Sequence, residues 1–179
     1  MTLSVIRLSD VTPERVSWLW PGRIPAGKLV TLDGDPSLGK STLALSFAAH
    51  ITTGRVWPDG TPCEHDGAVI LLSAEDGLAD TVRPRLDAAG ADVTRVIAVE
   101  GVSCTEEDGT RYLRPPTLAD VDELTAAVIE HGARLLVVDV LMAYLPGKVD
   151  AHRDQDIRRV MSRLSAMAEQ TGCTVLVLR

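Results

Sequence analysis

The sequence predicts an α/β domain in three layers, a mostly parallel sheet covered by helices, on three observations. Apolar runs of strand length recur at wide intervals, stretches of helical period lie between most of them, and a glycine-rich turn joins the first run to the first helical stretch. The first run, residues 28–33 (KLVTLD), enters that turn. The others are residues 68–73 (AVILLS), 95–99 (RVIAV), 134–140 (RLLVVDV) and 173–178 (CTVLVL). Residues 40–53 read as the first helix, with Leu43, Phe47 and His50 at helical spacing and Gly54 just past the end. Residues 81–89, 118–130 and 154–171 are the further helices, and Gly90 and Gly172 stand beyond the first and last of these. Residues 55–66 and 101–116, rich in Pro, Gly and acids, read as surface loops.

With 179 residues and no internal repeat, one domain is expected over residues 1–179, residues 1–27 forming a lead-in. Only one Phe, two Tyr and three Trp are present, so the core must be built from Leu, Val, Ile and Ala. The net charge of -7 argues against a nucleic-acid footprint spread over the whole surface, but leaves a local basic groove open. Cys63, Cys104 and Cys173 form no C-x-x-C pair, which speaks against zinc and thiol exchange; reduced, inert thiols are expected. Charges interrupt the N-terminal apolar residues, so no secretion signal is legible, and no apolar run is long enough to span a bilayer. A cytoplasmic protein without a membrane partner is the expectation.

The turn, Gly34-Asp35-Pro36-Ser37-Leu38-Gly39-Lys40-Ser41-Thr42, fits G-x-x-x-x-G-K-[ST] at every fixed position. Its glycines let successive backbone N–H groups point inward, and the helix N-terminus adds positive charge where phosphates would sit. Lys40 would reach the outer phosphates of a nucleoside triphosphate. Ser41 would ligate Mg2+ through its hydroxyl, and Thr42 would follow as a helix residue or a further phosphate contact. Ser37 asks for attention because glycine is common at its place in such loops: it must either keep φ negative or bear strain.

Two further acids are expected to complete the site. Asp139 follows four apolar residues, Leu135 to Val138, so it belongs at the C-terminal end of a buried strand, beside the turn, as the metal-holding carboxylate. Glu75 and Asp76 follow the second run directly. Glu75, nearer the sheet, is the candidate to orient or deprotonate the attacking water, while Asp76 would cap the next helix or support the site electrostatically. Both acids could also serve only a helix N-terminus. Val140, not an acid, follows Asp139, which leaves Glu75 as the catalytic choice alongside Lys40.

Residues 18–42, Leu71 to Asp76 (LLSAED), Arg83 to Asp92 (RPRLDAAGAD) and Leu135 to Asp139 (LLVVD) together resemble the RecA-like P-loop ATPases, and among these the RepA-type AAA family ATPases of plasmids, phages and mobile elements. The resemblance covers nearly the whole chain. It implies a RecA-like core in which the fifth strand lies between the first and fourth, giving the order 1-5-4-2-3. It also implies ATP and Mg2+ as ligands, Glu75 as catalytic carboxylate, Asp139 as the Walker B acid and assembly into a hexameric ring. Arg85 matches an arginine that can lie against adenine in such proteins; a solvated helix face is the plainer reading. In such proteins the fifth strand is normally followed by a polar sensor segment and further strands, so a chain that stops at Arg179 reads as truncated.

The segment before the last helix would face the ring's channel, making Lys148, His152 and Arg153 candidate contacts to single-stranded DNA, although a plain surface loop fits equally well. Asp150, His152, Asp154 and Asp156 offer no fixed ligand geometry for a metal. His50, His65 and His131 have no nucleophile partner in a recognisable motif. Trp18 and Trp20 suggest a hydrophobic clasp on the domain or packing between subunits. Two functions follow: an ATP-hydrolysing motor domain for DNA replication or unwinding in a mobile element, or a nucleotide-dependent switch with little turnover. A small-molecule kinase would show an acceptor site and an arginine-rich lid, and neither is legible.

Overall fold

A computed structural model describes residues 3–145 and 154–179. The lead-in carries a two-stranded antiparallel hairpin, β1 (Trp18–Trp20) and β2 (Ile24–Pro25). There follow β3 (Leu29–Leu32), α1 (Lys40–Thr53), β4 (Ala68–Ser73), α2 (Arg83–Ala89) and β5 (Val96–Ala98). A second hairpin, β6 (Val102–Thr105) and β7 (Arg111–Arg114), precedes α3 (Val121–His131), β8 (Ala133–Asp139), α4 (Asp154–Thr171) and β9 (Thr174–Leu178).

The main sheet has five strands in the order β3-β9-β8-β4-β5, and every pairing in it is parallel. In terms of the five apolar runs this is 1-5-4-2-3, the RecA-like order expected from the resemblance. Its central strands are apolar on both faces, as a sheet covered on both sides requires, yet side chains still alternate. Ile70, Leu72, Leu136, Val138, Val175 and Val177 pack with α3 and α4, whereas Val69, Leu71, Leu135, Val137, Leu176 and Leu178 pack with α1, α2 and the lead-in. Every one of these twelve is 3% exposed or less, so a one-residue register slip would exchange two complete core faces.

Three expectations need correction. Residues 101–116 are not all loop, because the acidic turn around Gly109 (φ 86°) closes the β6–β7 hairpin, whose pairing runs from Val102↔Arg114 to Thr105↔Arg111. The turn residues hid the two short strands, which are mostly exposed and lack an apolar run. The second helix begins at Arg83 rather than residue 81, after a π-type turn over Leu78–Val82, since Pro84 lacks the N–H that a longer α-helix would need there. Within α1, Phe47 and His50 are buried but Leu43 is 43% exposed, and Ala44, Ala48 and Ile51 complete the buried face. Lys148, His152 and Arg153 lie outside the described residues.

The second hairpin is tied down by one carboxylate. Buried Asp120, just before α3, accepts hydrogen bonds from both terminal guanidinium nitrogens of Arg114 and from the Thr117 backbone N–H at 2.8 Å. The Arg114 hydrogen bond, with Thr117 adding to it against the effect of burial, holds the Asp120 carboxyl at about 2 rather than 3.8. A folded value below the unfolded one contributes stability above about pH 4 that is lost as pH falls through about 2. Asp120→Ala is therefore expected to lower stability at neutral pH by on the order of 1–2 kcal/mol, Arg114 being partly exposed, and to flatten the loss of stability in that acid window. Denaturant midpoints measured across the window check both.

Candidate functional site

The site stands at the C-terminal end of the parallel strands, where β3 turns into α1. Two backbone bonds root the turn in the neighbouring central strand: Arg179 N–H donates to Leu32 O at 3.1 Å, and Gly34 N–H donates to Arg179 O at 3.2 Å. Gly39 holds φ at 85°, the left-handed region that glycine enters without a Cβ penalty, and so reverses the chain into α1. Ser37 also enters that region, at φ 66°, and is the one non-glycine residue with positive φ among those described. The strain raised as an alternative from sequence is therefore present, at a cost of about 1–2 kcal/mol.

Lys40 folds back over the turn. Its Nζ donates to Gly34 O at 2.6 Å and Asp35 O at 2.9 Å, so the ammonium sits across the mouth of the loop. Ser41, one residue further, lines the same cleft as Asp139, and its hydroxyl favours the charged form of that carboxylate. Register puts Asp139 beside Ser73 on adjacent strands, and Ala74 N–H donates to Asp139 O at 3.2 Å, so the chain carrying Glu75 and Asp76 leaves the sheet next to Asp139.

Electrostatics at Asp139 follow from this crowding. Burial pushes its carboxyl above the ordinary value, and the charges of Asp76 and Glu75 push it further, while the Ser41 hydroxyl and Lys40 pull it down. A hydroxyl and a half-buried carboxylate on one cleft, with two more acids on its wall, form a hard oxygen donor set. That chemistry suits Mg2+.

Gly34, Pro36, Ser37, Gly39, Lys40, Ser41, Thr42, Glu75, Asp76, Arg85 and Asp139 line one open cleft of about 720 Å³. The sequence-predicted loop residues Asp35 and Leu38 do not line it, and the Leu38 side chain is 71% exposed. Asp76 does not cap a helix: its Oδ2 accepts from Arg85 at 2.7 Å, and this pair sits on the cleft wall. Arg85 thus lies on the cleft wall, engaged with an acid.

Val140, Met142, Leu178 and Arg179 also line the cleft and were not singled out from sequence. Leu178 and Arg179 could have been found from the strand order alone, since a strand inserted beside the first must end next to the turn. Met142 gave no such signal, because it lies in a short turn after β8 with no regular period.

No group of three or more His, Cys, Asp or Glu side chains able to hold a metal by themselves occurs among the described residues. Among the described residues no helix is long and apolar enough to cross a membrane. The whole chain, residues 1–179, matches the model of a family described as AAA domain. No match was found among curated proteins.

Proposed function

The chain belongs to the AAA domain family, a family of nucleotide-binding ATPase domains, and from that premise we propose that it binds ATP with Mg2+ in the cleft at the end of β3 and hydrolyses it. The observation that carries this reading is the convergence of Lys40, Ser41, Glu75 and Asp139 from three separate elements on one cleft at a helix N-terminus. The inward N–H groups of the turn and the start of α1 would hold the phosphates, and Lys40 would exchange its loop carbonyls for the outer phosphate oxygens. Ser41 and Asp139 would hold Mg2+, directly and through water, and the ion when bound offsets charge on the phosphates. Glu75, exposed beside them, would accept a hydrogen bond from the attacking water and aim it at the terminal phosphorus. Water adds to that phosphorus and gives up a proton, the bond to the bridging oxygen breaks, and ADP, phosphate and the proton leave.

The finer reading is a RepA-type motor domain serving DNA replication or unwinding in a mobile element, working as a homo-oligomeric ring. The lead supports are the LLSAED and LLVVD segments at their places in the strand order.

Lys40→Ala is expected to weaken ATP binding about tenfold to a hundredfold, the loss of a charge-assisted hydrogen bond to phosphate, with the fold unchanged by circular dichroism. Unchanged affinity would remove the loop from the site. Phosphate release measured with and without single-stranded DNA tests the finer reading: DNA-stimulated release supports a motor, and stoichiometric binding without turnover supports a nucleotide switch.

A further inference from the structure

We infer that Asp76 and Arg85 form an electrostatic latch on the nucleotide cleft, a pair in which the carboxylate competes with bound phosphoanion for the guanidinium. The inference rests on the reading of the cleft as a triphosphate site and adds to it a role for the second acid of the Glu75-Asp76 pair.

The two residues reach the cleft from different elements. Asp76 leaves the end of β4, and Arg85 is the third residue of α2; the intervening π-type turn over Leu78–Val82 brings them to 2.7 Å. Both side chains remain partly exposed, 42% for Arg85 and 31% for Asp76, and both face the cleft that holds Lys40.

Partial exposure decides what the pair can do. A buried pair would be a fixed structural tie, costly to break. A half-exposed one is weak enough for a competitor to open. A triphosphate carries several negative charges and presents planar oxygen pairs that guanidinium binds as readily as it binds carboxylate. In the free protein Asp76 neutralises Arg85 and withholds it. With triphosphate in the cleft, Arg85 moves to the ligand, and Asp76 turns to water. Asp76 is therefore a positioning residue that lowers ground-state affinity, distinct from the exposed Glu75 beside it.

The test is a double-mutant cycle on binding of a fluorescent, slowly hydrolysed ATP analogue, with Mg2+, to the full chain. The latch requires Asp76→Asn to tighten binding about threefold to fivefold, the size of a half-exposed ion pair, and Arg85→Ala to weaken it. It requires further that Asp76→Asn tighten binding by less than twofold once Arg85 is Ala, because no cation is left to release. Equal or greater tightening in the Arg85→Ala background would mean that Asp76 merely repels phosphate, and weaker binding by Asp76→Asn would mean that it holds Arg85 toward the ligand; either result overturns the latch. Failure of the wild-type chain to bind the analogue would instead overturn the reading of the cleft. Wild-type binding that Lys40→Ala abolishes, without the cycle's signature, would overturn only the latch.

Discussion

Glu75→Gln should leave ATP bound and stop its hydrolysis. The amide keeps the size of the carboxylate but cannot take a proton or accept as strongly from water, and loss of a positioned base of this kind costs about a hundredfold to ten-thousandfold in rate. Affinity should hold or improve, since one of the charges crowding Asp139 disappears. Asp139→Asn should act differently: it removes the carboxylate that shares the cleft with Ser41, so the Mg2+ dependence of binding weakens together with turnover. The pair of variants, compared by single-turnover phosphate release and by binding at several Mg2+ concentrations, separates water alignment from ion retention. Intact turnover in Glu75→Gln, with turnover lost in Asp139→Asn, would remove Glu75 from its role and leave the water to another group. Asp76, paired with Arg85 at 2.7 Å in the free chain and released when triphosphate is bound, would be the next acid to test, by single turnover of Asp76→Asn.

That distinction between neighbouring acids shows where sequence reading reached its limit. The five sheet strands were legible because each is a short, nearly unbroken apolar run, and their ends lie within one residue of the structure's. Their order was not contained in the runs themselves and came from resemblance. Burial on both faces leaves a parallel strand without a pattern that names its neighbour. The fixed positions of the phosphate loop were legible because the spacing itself specifies a backbone shape, and Gly39 at φ 85° is that shape. Partnerships between side chains were not legible. Asp76 and Arg85 are nine residues apart, across a π-type turn that no periodicity announces. The Asp120–Arg114 tie likewise depends on a hairpin whose exposed strands lack an apolar signature. Charged pairs formed through irregular backbone are set by geometry, and single-residue preferences do not encode it.

Trp57→Ala should be the most damaging substitution away from the cleft. Trp57 is 1% exposed and lies at the centre of an aromatic stack. Trp20 from β1 lies parallel to it at 4.7 Å and 3°, His50 lies on it at 4.9 Å, and Phe47 meets it edge-on at 6.0 Å. Its indole N–H donates to Leu19 O at 3.0 Å. One side chain thus joins the lead-in hairpin to the far half of α1, the helix that opens with Lys40 and Ser41, which supports the clasp reading for Trp20. Truncation to Ala removes the stack, opens a cavity and leaves a strand carbonyl without its donor, a loss of about 3–5 kcal/mol. For a domain of this size the melting temperature should fall by about 6–20 °C. Trp57→Phe, which keeps a ring but not the N–H, should lose less than half of that. A contact within one chain gives a shift that does not vary with protein concentration, whereas a contact between subunits gives one that does. Melting curves over a hundredfold range of concentration therefore decide between clasp and subunit packing. ATP affinity, measured well below the lowered transition, should match wild type, because the stack touches α1 two turns beyond the phosphate loop. A melting temperature left unchanged by Trp57→Ala would mean that the lead-in is not held to α1 through this ring.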